Sequence, residues 1–322
     1  MGFGARKMDD EQFGSSMSTA HIFPGQGSQY VGMGRDLCEN SSQAKEIFHH
    51  ADEILSVPLS KICFEGPEEE LKQTKNTQPA IFLHSYAALC LSGNKDASMA
   101  AGHSLGEYTA LVCAGALEFE DALRLVRLRG ELMQKAGELN KGTMAAIVGL
   151  SADVLTKICG EASAAGIVQC ANFNSPGQIV ISGSVAGVRK AMELAKSQGA
   201  RMVKELVVSG AFHSPLMQSA CEGLREALKN TNIHNAEIPV YANVSASPVR
   251  TADDIRRSLE AQLTAPVFWD KSVTQMINNG AKMFIEYGPG KVLQGLVKRI
   301  DATVETRGVD TYAETCKLEG VS

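Results

Sequence analysis

The sequence lacks the features that mark membrane proteins and nucleic-acid-binding proteins. No apolar run reaches the roughly 18 residues that a transmembrane helix requires, and residues 1–20 lack the apolar segment of a secretory signal peptide. Acidic residues outnumber basic ones, 36 to 31, for a net charge of −5, whereas a nucleic-acid-binding domain normally carries a basic surface. We therefore predict a cytoplasmic protein that binds neither membrane nor nucleic acid.

Patterns for disulfides, metals and nucleotides are missing as well. The eight cysteines form no C-x-x-C pair, and most lie in apolar stretches, which favours reduced thiols in the core. The histidines show no H-E-x-x-H or similar spacing, so no metal is expected. The segment GQGSQY, residues 25–30, begins like a dinucleotide-binding loop, but Tyr30 stands where the third glycine belongs. The sequence thus predicts no bound cofactor.

The order of predicted strands and helices divides the chain into two units. Residues 143–208 have the order β-α-β-β-α-β, with strands at 143–150, 167–171, 178–182 and 201–208 and helices at 151–165 and 185–198. This order is the ferredoxin-like arrangement. The flanking segments, 21–142 and 209–310, alternate strands and helices as in a mostly parallel sheet. We predict a large α/β-hydrolase-like domain with an inserted ferredoxin-like domain, a disordered extension at 1–20 and a tail at 311–322.

A serine lies at a predicted sharp turn between a strand and a helix. Residues 102–106, GHSLG, match the G-x-S-x-G pattern, and they join a predicted strand at 98–101 to a predicted helix at 105–113. Small residues on both sides let the Ser104 hydroxyl project, and the helix aims its N-terminal N–H groups at the same point. The pentapeptide alone is a weak signal, but this context predicts a nucleophile, with the Leu105 N–H available to an oxyanion.

Arg129 lies in the apolar stripe of a predicted helix at 120–136. The stripe consists of Ala122, Leu125, Val126, Leu132, Met133 and Ala136. A guanidinium on an apolar face is costly unless an anion meets it, and its planar fork can pair with a carboxylate through two hydrogen bonds. Two interpretations remain open at this point. Arg129 is either structural, bound to a buried Asp or to backbone carbonyls, or it binds an anion that arrives with a substrate.

His213 is the candidate base for a serine nucleophile. It precedes Ser214-Pro215, a typical helix start, and a helix N-terminus disfavours the imidazolium form. A histidine in a loop between domains is the simpler alternative for an isolated residue. We find no convincing carboxylate that would complete a triad with it.

Six segments together resemble the malonyl-CoA:acyl carrier protein transacylases. They are AGHSLGEY (101–108), FPGQGSQ (23–29), RLRG (127–130), NFNSPGQ (172–178), GAFHS (210–214) and EYGPG (286–290), and they follow one another in the family's order over roughly residues 20–300. The resemblance implies the two-domain architecture above, with an active site in the cleft between the domains.

The resemblance also implies roles for individual residues. Ser104 would be the nucleophile, His213 the base, and the backbone N–H groups of Gln26 and Leu105 the oxyanion hole. Through the match at 262–267 (QLTAPV), the carbonyl of Gln262 would orient the histidine in place of an acid. The substrate-binding candidates are Arg129, which would hold a malonyl carboxylate, together with Met133, Asn174 and Phe212, the last of which resembles the signature of malonyl-selective enzymes.

The activity implied is transfer of a malonyl group from malonyl-CoA to the phosphopantetheine thiol of acyl carrier protein, through a malonyl-serine, in fatty acid biosynthesis. A free-standing acyltransferase that serves a polyketide synthase shares every one of these motifs. A serine hydrolase would use the same elbow but would leave Arg129 without a purpose. A catalytically inactive carrier-binding module is a further alternative, although both Ser104 and His213 are present.

Overall fold

Two β-sheets with helices packed on them make up the protein. The computed structural model describes residues 18–93 and 96–318. The strands are β1 (Ser18–Phe23), β2 (Ala97–Gly102), β3 (Gly142–Val148), β4 (Val168–Ser175), β5 (Gln178–Ser184), β6 (Met202–Glu205), β7 (Val240–Tyr241), β8 (Pro248–Val249), β9 (Ala281–Tyr287) and β10 (Glu305–Val309). No helix in these two ranges is long and apolar enough to cross a membrane.

The helices fall between the strands along most of the chain. They are α1 (Arg35–Asn40), α2 (Ser42–Leu55), α3 (Leu59–Glu65), α4 (Glu68–Lys72), α5 (Thr74–Ser92), α6 (Gly106–Cys113), α7 (Phe119–Leu139), α8 (Ala152–Ala162), α9 (Val185–Ser197), α10 (Gln218–Asn230), α11 (Ala252–Gln262), α12 (Trp269–Asn278), α13 (Val292–Ile300) and α14 (Tyr312–Leu318). A single 3₁₀ turn, Pro215–Met217, precedes α10.

The larger sheet has the strand order β10-β9-β1-β2-β7-β8. The first five strands run parallel, and β8 pairs antiparallel with β7 at the edge. Helices cover both faces, so the central strands are buried on both sides, as is usual for a parallel sheet. One core contains Phe82 of α5 and Val126 of α7, and the other contains Trp269 of α12 and Leu293 of α13. The carboxyl ends of β1 and β2 lie side by side, with Phe23 opposite Gly102.

The smaller sheet has the order β4-β5-β3-β6, and all its pairs are antiparallel. Helices α8 and α9 cover one face, on which Ile179 and Ile181 of β5 pack with Leu155 and Val188. Side chains alternate along a strand, so Val180 points the other way, to a cavity described below. Ser151 caps α8, as the sequence suggests, by accepting a hydrogen bond from the Val154 N–H. The predicted fold class is confirmed, while the domain boundaries at 143 and 208 stay a prediction.

The structure corrects the predicted N-terminal extension and adds a helix to the predicted tail. Residues 18–20, which the sequence placed in a disordered extension, begin β1, because their backbone pairs with β2 and β9 on both sides; residues 1–17 lie outside the described residues. The predicted tail at 311–322 contains α14, whose Thr315 and Leu318 are buried. Its first N–H, from Tyr312, donates to Asp36 Oδ2 at 2.7 Å. Residues 319–322 also lie outside the described residues.

All four strands of the smaller sheet differ in length from the prediction, and β4 and β6 differ most. The segment predicted at 167–171 continues to Ser175 as β4, although asparagine is a poor strand former. The Phe173 N–H donates to the Val267 carbonyl at 2.9 Å, so pairing with another part of the chain outweighs local propensity. The strand predicted at 201–208 ends at Glu205, because Leu206 and Val208 turn toward the cavity that Val180 lines.

Candidate active site

Ser104 sits on the turn between β2 and α6 in a left-handed backbone conformation, with φ of 52°. Such a conformation is strained for a residue with a side chain. A Cβ at Gly102 would lie 1.8 Å from the Gly106 carbonyl carbon, and one at Gly106 would lie 2.1 Å from the Phe23 carbonyl oxygen. Both glycines are therefore required sterically. The Ser104 N–H donates to Asn243 Oδ1 at 2.8 Å, which fixes the turn from a distant part of the chain.

His213 contacts the serine directly. Its Nε2 lies 2.8 Å from Ser104 Oγ, and its Nδ1 lies 2.8 Å from the carbonyl oxygen of Gln262. A carbonyl can only accept, so Nδ1 carries the proton of the neutral ring and Nε2 is left to accept from the serine hydroxyl. Within the described ranges, no carboxylate forms an ion pair with His213. The pair is a serine–histidine dyad held by a backbone carbonyl.

The protonation state of His213 suits a base. Burial, and then the positive charge of Arg129, lower its pKa to about 3, so the ring is neutral at pH 7. The sequence attributed a neutral ring to a following helix N-terminus. In the structure, only the single turn Pro215–Met217 follows before α10, and burial is the larger cause.

The loop that carries Gln26 packs against the turn that carries Ser104. A Cβ at Gly25 would lie 2.4 Å from the His103 carbonyl oxygen, and the His103 N–H donates to Phe23 O at 3.0 Å. Gln26 lines the same cavity as Ser104. In the part of the chain that the structure describes, the backbone N–H groups of Gln26 and Leu105 donate to no other residue. The loop and the start of α6 thus leave two N–H groups without a partner among the described residues, one on each side of the contact between the two turns.

Arg129 is fully buried, and its partners are neutral. Nη1 donates to Gln78 Oε1 at 2.7 Å, while Nη2 donates to Gln262 Oε1 at 2.9 Å and to Ser104 Oγ at 3.1 Å. The guanidinium also lies 5.7 Å from the centre of the Tyr108 ring. If Arg129 were structural, its expected partners would be a buried Asp or backbone carbonyls. Neither kind of partner is found among residues 18–93 and 96–318. Among the described residues, a cation without an ion-pair partner therefore contacts the Ser104 hydroxyl.

A cavity of about 160 Å³ opens beside the dyad, between the two sheets. Of the predicted substrate-binding residues, Met133, Asn174 and Phe212 all line it. Asn174 is held in place by the His103 Nε2, 2.8 Å from its Oδ1. Arg129 and Gln262 lie behind this lining, fully buried, and Arg129 reaches the site through Nη2. Of the nine predicted site residues, six therefore line one cavity, and the other three, Leu105, Arg129 and Gln262, are buried next to it.

Three residues that sequence reasoning did not single out complete the site. Glu107 is a buried carboxylate, whose Oε2 accepts from the Asn243 N–H at 2.9 Å and from Gln262 Nε2 at 3.0 Å. Burial raises its pKa to about 7. Gln78 holds Arg129, and Asn243 holds Ser104. A carboxylate in the otherwise uncharged segment 106–113 was a usable signal for Glu107, whereas nothing local distinguishes Gln78 or Asn243.

Fold and site together define an enzyme that transfers acyl groups through an ester on a serine. Comparison with known proteins gives the same class of enzyme and identifies one family within that class. Residues 20–314 match the model of the acyl transferase domain family. The malonyl CoA-acyl carrier protein transacylase of Bacillus subtilis (strain 168) is 47% identical over 302 residues, which are 93% of this chain and 95% of that protein. This chain belongs to the acyl transferase family, among the malonyl CoA-acyl carrier protein transacylases.

Solved structures agree with this assignment over nearly the whole chain. The malonyl CoA-acyl carrier protein transacylase from Coxiella burnetii superposes with a TM-score of 0.91 at 39% identity, covering 94% of this chain and 96% of that one. A malonyl-transacylase solved in complex with a type II PKS acyl-carrier protein gives the same TM-score and identity, covering 95% of this chain and all of that one.

Proposed function

We propose that this enzyme moves a malonyl group from malonyl-CoA to the phosphopantetheine thiol of acyl carrier protein, through a malonyl ester on Ser104. The observation that carries the proposal is the 3.1 Å contact between Arg129 Nη2 and Ser104 Oγ. An acyl group esterified to this serine lies within reach of a buried guanidinium that has no carboxylate partner. A malonyl group supplies that carboxylate at its free end, whereas an acetyl group does not.

The first half-reaction loads the serine. His213 Nε2 takes the proton as Ser104 Oγ attacks the thioester carbonyl, and the N–H groups of Gln26 and Leu105 stabilise the tetrahedral oxyanion. Removing one such donor typically costs on the order of 100-fold or more in rate. CoA leaves with the proton from His213, and Arg129 binds the malonyl carboxylate. We propose that Met133, Asn174 and Phe212 enclose the acyl group, since all three line the cavity.

The second half-reaction reverses these steps with a different thiol. The phosphopantetheine thiol of the carrier protein gives its proton to His213 and attacks the ester carbonyl. The bond from that carbonyl to Ser104 Oγ breaks, and His213 returns the proton to Oγ. The chemistry is complete with the serine, the histidine and backbone donors, so we expect no metal and no cofactor. Fatty acid biosynthesis in the cytosol is the pathway we favour, and a polyketide carrier is the alternative, because one structural relative was solved with such a partner.

Intact-mass measurement tests the whole proposal. Mixing the enzyme with malonyl-CoA should add one malonyl group, and adding a phosphopantetheinylated fatty acid carrier protein should remove it and place it on the carrier. A polyketide carrier in a parallel sample distinguishes the two pathways by rate. Loss of the group without any carrier would indicate a serine hydrolase, and failure to acquire it would indicate an inactive carrier-binding module.

Phe212→Ser should relax the selection of the acyl group. Phe212 is buried beside His213 and lines the cavity, so its ring occupies space that the branch of a methylmalonyl group would need. A methyl group is worth about 1–3 kcal/mol in such a pocket, so the methylmalonyl-to-malonyl ratio of kcat/KM should rise roughly 5- to 150-fold. Met144→Ala, on the smaller sheet at the same cavity, is the matched control for a general gain of volume. An unchanged ratio in a variant that melts like the parent would show that Phe212 does not set selectivity.

A further inference from the structure

Glu107 is a buried carboxylate beside the dyad, without a cation of its own. It lies in the first turn of α6 and is 2% exposed. Both hydrogen bonds that it accepts, from the Asn243 N–H and from Gln262 Nε2, end on the same oxygen, Oε2. In the described ranges, no lysine, arginine or histidine lies within ion-pair distance of it. The mechanism above makes no use of this group, although a buried charge is expensive to keep.

The side chain of Gln262 connects Glu107 to Arg129. Its Oε1 accepts from Arg129 Nη2 at 2.9 Å, and its Nε2 donates to Glu107 Oε2 at 3.0 Å. One amide therefore separates the buried positive charge from the buried negative charge. Burial raises the pKa of Glu107, and the nearby charge of Arg129 partly opposes that shift. In the free enzyme, Glu107 is thus a buried acidic group that interacts with Arg129 across the Gln262 amide without forming an ion pair with it.

A malonyl carboxylate adds a second negative charge to this pair. With the carboxylate on Arg129 and Glu107 ionised, one buried cation would face two anions, and like charges that share a site do not both stay ionised at neutral pH. An acetyl group brings no such charge. The charge that distinguishes a malonyl group from an acetyl group therefore affects Glu107 as well as Arg129.

The other titratable groups near Glu107 do not balance the negative charge that a malonyl carboxylate adds. The pKa of Tyr108 is raised to about 12, and burial lowers the pKa of both His103 and His213, so all three are neutral at pH 7. Charged side chains of α7 other than Arg129 are not buried. The remaining titratable residues on the elements packed against α6 are His21 on β1, Tyr241 on β7, and Lys75, His84, Tyr86 and Cys90 on α5. Among all of these, Arg129 is the charge that acts on Glu107.

We propose that binding of the malonyl carboxylate at Arg129 is coupled to uptake of one proton by Glu107, which makes Glu107 a positioning residue for selection of the charged acyl group. The proposal rests on the malonyl transfer proposed above. The proton comes from solvent and binds Oε1, the oxygen that accepts neither of the two hydrogen bonds. It returns to solvent when the malonyl group leaves for the carrier thiol, so each cycle is balanced.

The sign of the pH dependence follows from the two states of Glu107. Its pKa is about 7 in the free enzyme, and a second carboxylate raises it further. Below pH 7, Glu107 is protonated in both states, and malonyl loading does not depend on pH. Above pH 7, the free enzyme is ionised and the malonyl enzyme is not, so the loading equilibrium should fall by up to about tenfold per pH unit.

The test compares malonyl and acetyl loading from pH 6 to pH 9. Intact-mass occupancy of Ser104 at a fixed ratio of acyl-CoA to CoA gives both equilibria, and their ratio cancels the ionisation of the CoA thiol. In the wild-type protein the malonyl-to-acetyl ratio should fall above pH 7. In Glu107→Gln it should be flat, and at pH 8.5 it should exceed the wild-type ratio by about tenfold or more. The glutamine can accept both native hydrogen bonds through its one carbonyl oxygen.

A second measurement needs no variant. In weak buffer at pH 8, adding malonyl-CoA to the wild-type enzyme should take up close to one more proton per loaded serine than adding acetyl-CoA. A pH-independent ratio in the wild-type protein, a slope that persists in Glu107→Gln, or equal proton uptake with the two donors would overturn the inference and leave malonyl transfer intact. A Ser104 that acquires no malonyl group at any pH would overturn both.

Discussion

Ser104→Ala should abolish the acyl-enzyme, and His213→Ala should slow its formation by several orders of magnitude. The serine supplies the atom that carries the acyl group, so nothing replaces it. The histidine is the group that can accept the proton of that atom, from 2.8 Å away, and its lowered pKa keeps it unprotonated at pH 7. Positioned proton transfer typically contributes 10²–10⁴-fold. Intact-mass analysis over time after addition of malonyl-CoA measures both effects.

Two other residues with nucleophilic side chains test whether the malonyl group is attached to Ser104. Cys113, at the far end of α6, has a pKa that burial raises to about 12, so its thiol is a poor nucleophile and Cys113→Ala should load like the parent. Ser28 lies in the loop of Gln26, but its hydroxyl donates to the Gly25 carbonyl at 2.9 Å and forms no hydrogen bond with a histidine or carboxylate of the described residues. Peptide mapping that places malonate on Ser28 or Cys113 would contradict the assignment of Ser104.

The site residues that could be predicted from the sequence are those that lie in short contiguous patterns. The turn at Ser104 is recognisable because two glycines must flank it, and Arg129 stands out because a helical stripe is otherwise apolar. The structure contains both features, because each depends on local backbone geometry that a short stretch of sequence determines. The histidine was found with the help of its Ser-Pro successor, but the reason for its neutral state was not, because burial depends on the whole fold.

Groups held by distant partners could not be predicted in the same way. Any residue offers a backbone carbonyl, so nothing in the residue type marks Gln262 as the partner of His213; only resemblance to a family pointed to it. The contacts of its side chain with Arg129, Glu107 and the Ser104 carbonyl join positions more than 130 residues apart. Strand β4 and helix α14 escaped full prediction for the same reason, because pairing and packing with remote segments define them.

The unusual surroundings of Arg129 lead to the prediction that best separates binding from structure. Arg129→Ala should lose malonyl transfer and retain, or gain, acetyl transfer. Truncating one partner of a buried, hydrogen-bonded charge pair costs about 2–5 kcal/mol, which is roughly 30- to 5,000-fold in kcat/KM for the malonyl donor. The acetyl group has no carboxylate to lose, and the vacated space is neutral. Parallel assays with malonyl-CoA and acetyl-CoA, on variants checked by thermal unfolding, give the two values.

Arg129→Lys is the matched variant, because it keeps the charge and removes the fork. Arg129 uses Nη1 on Gln78 and Nη2 on both Gln262 and Ser104, and one ammonium cannot reproduce that planar arrangement. Malonyl transfer by the lysine variant should therefore fall between those of alanine and the parent. A purely structural arginine would give a different result, since the alanine variant would then lose malonyl and acetyl transfer by the same factor. Equal losses, together with a lowered melting temperature, would mean that Arg129 supports the dyad and does not select the acyl group.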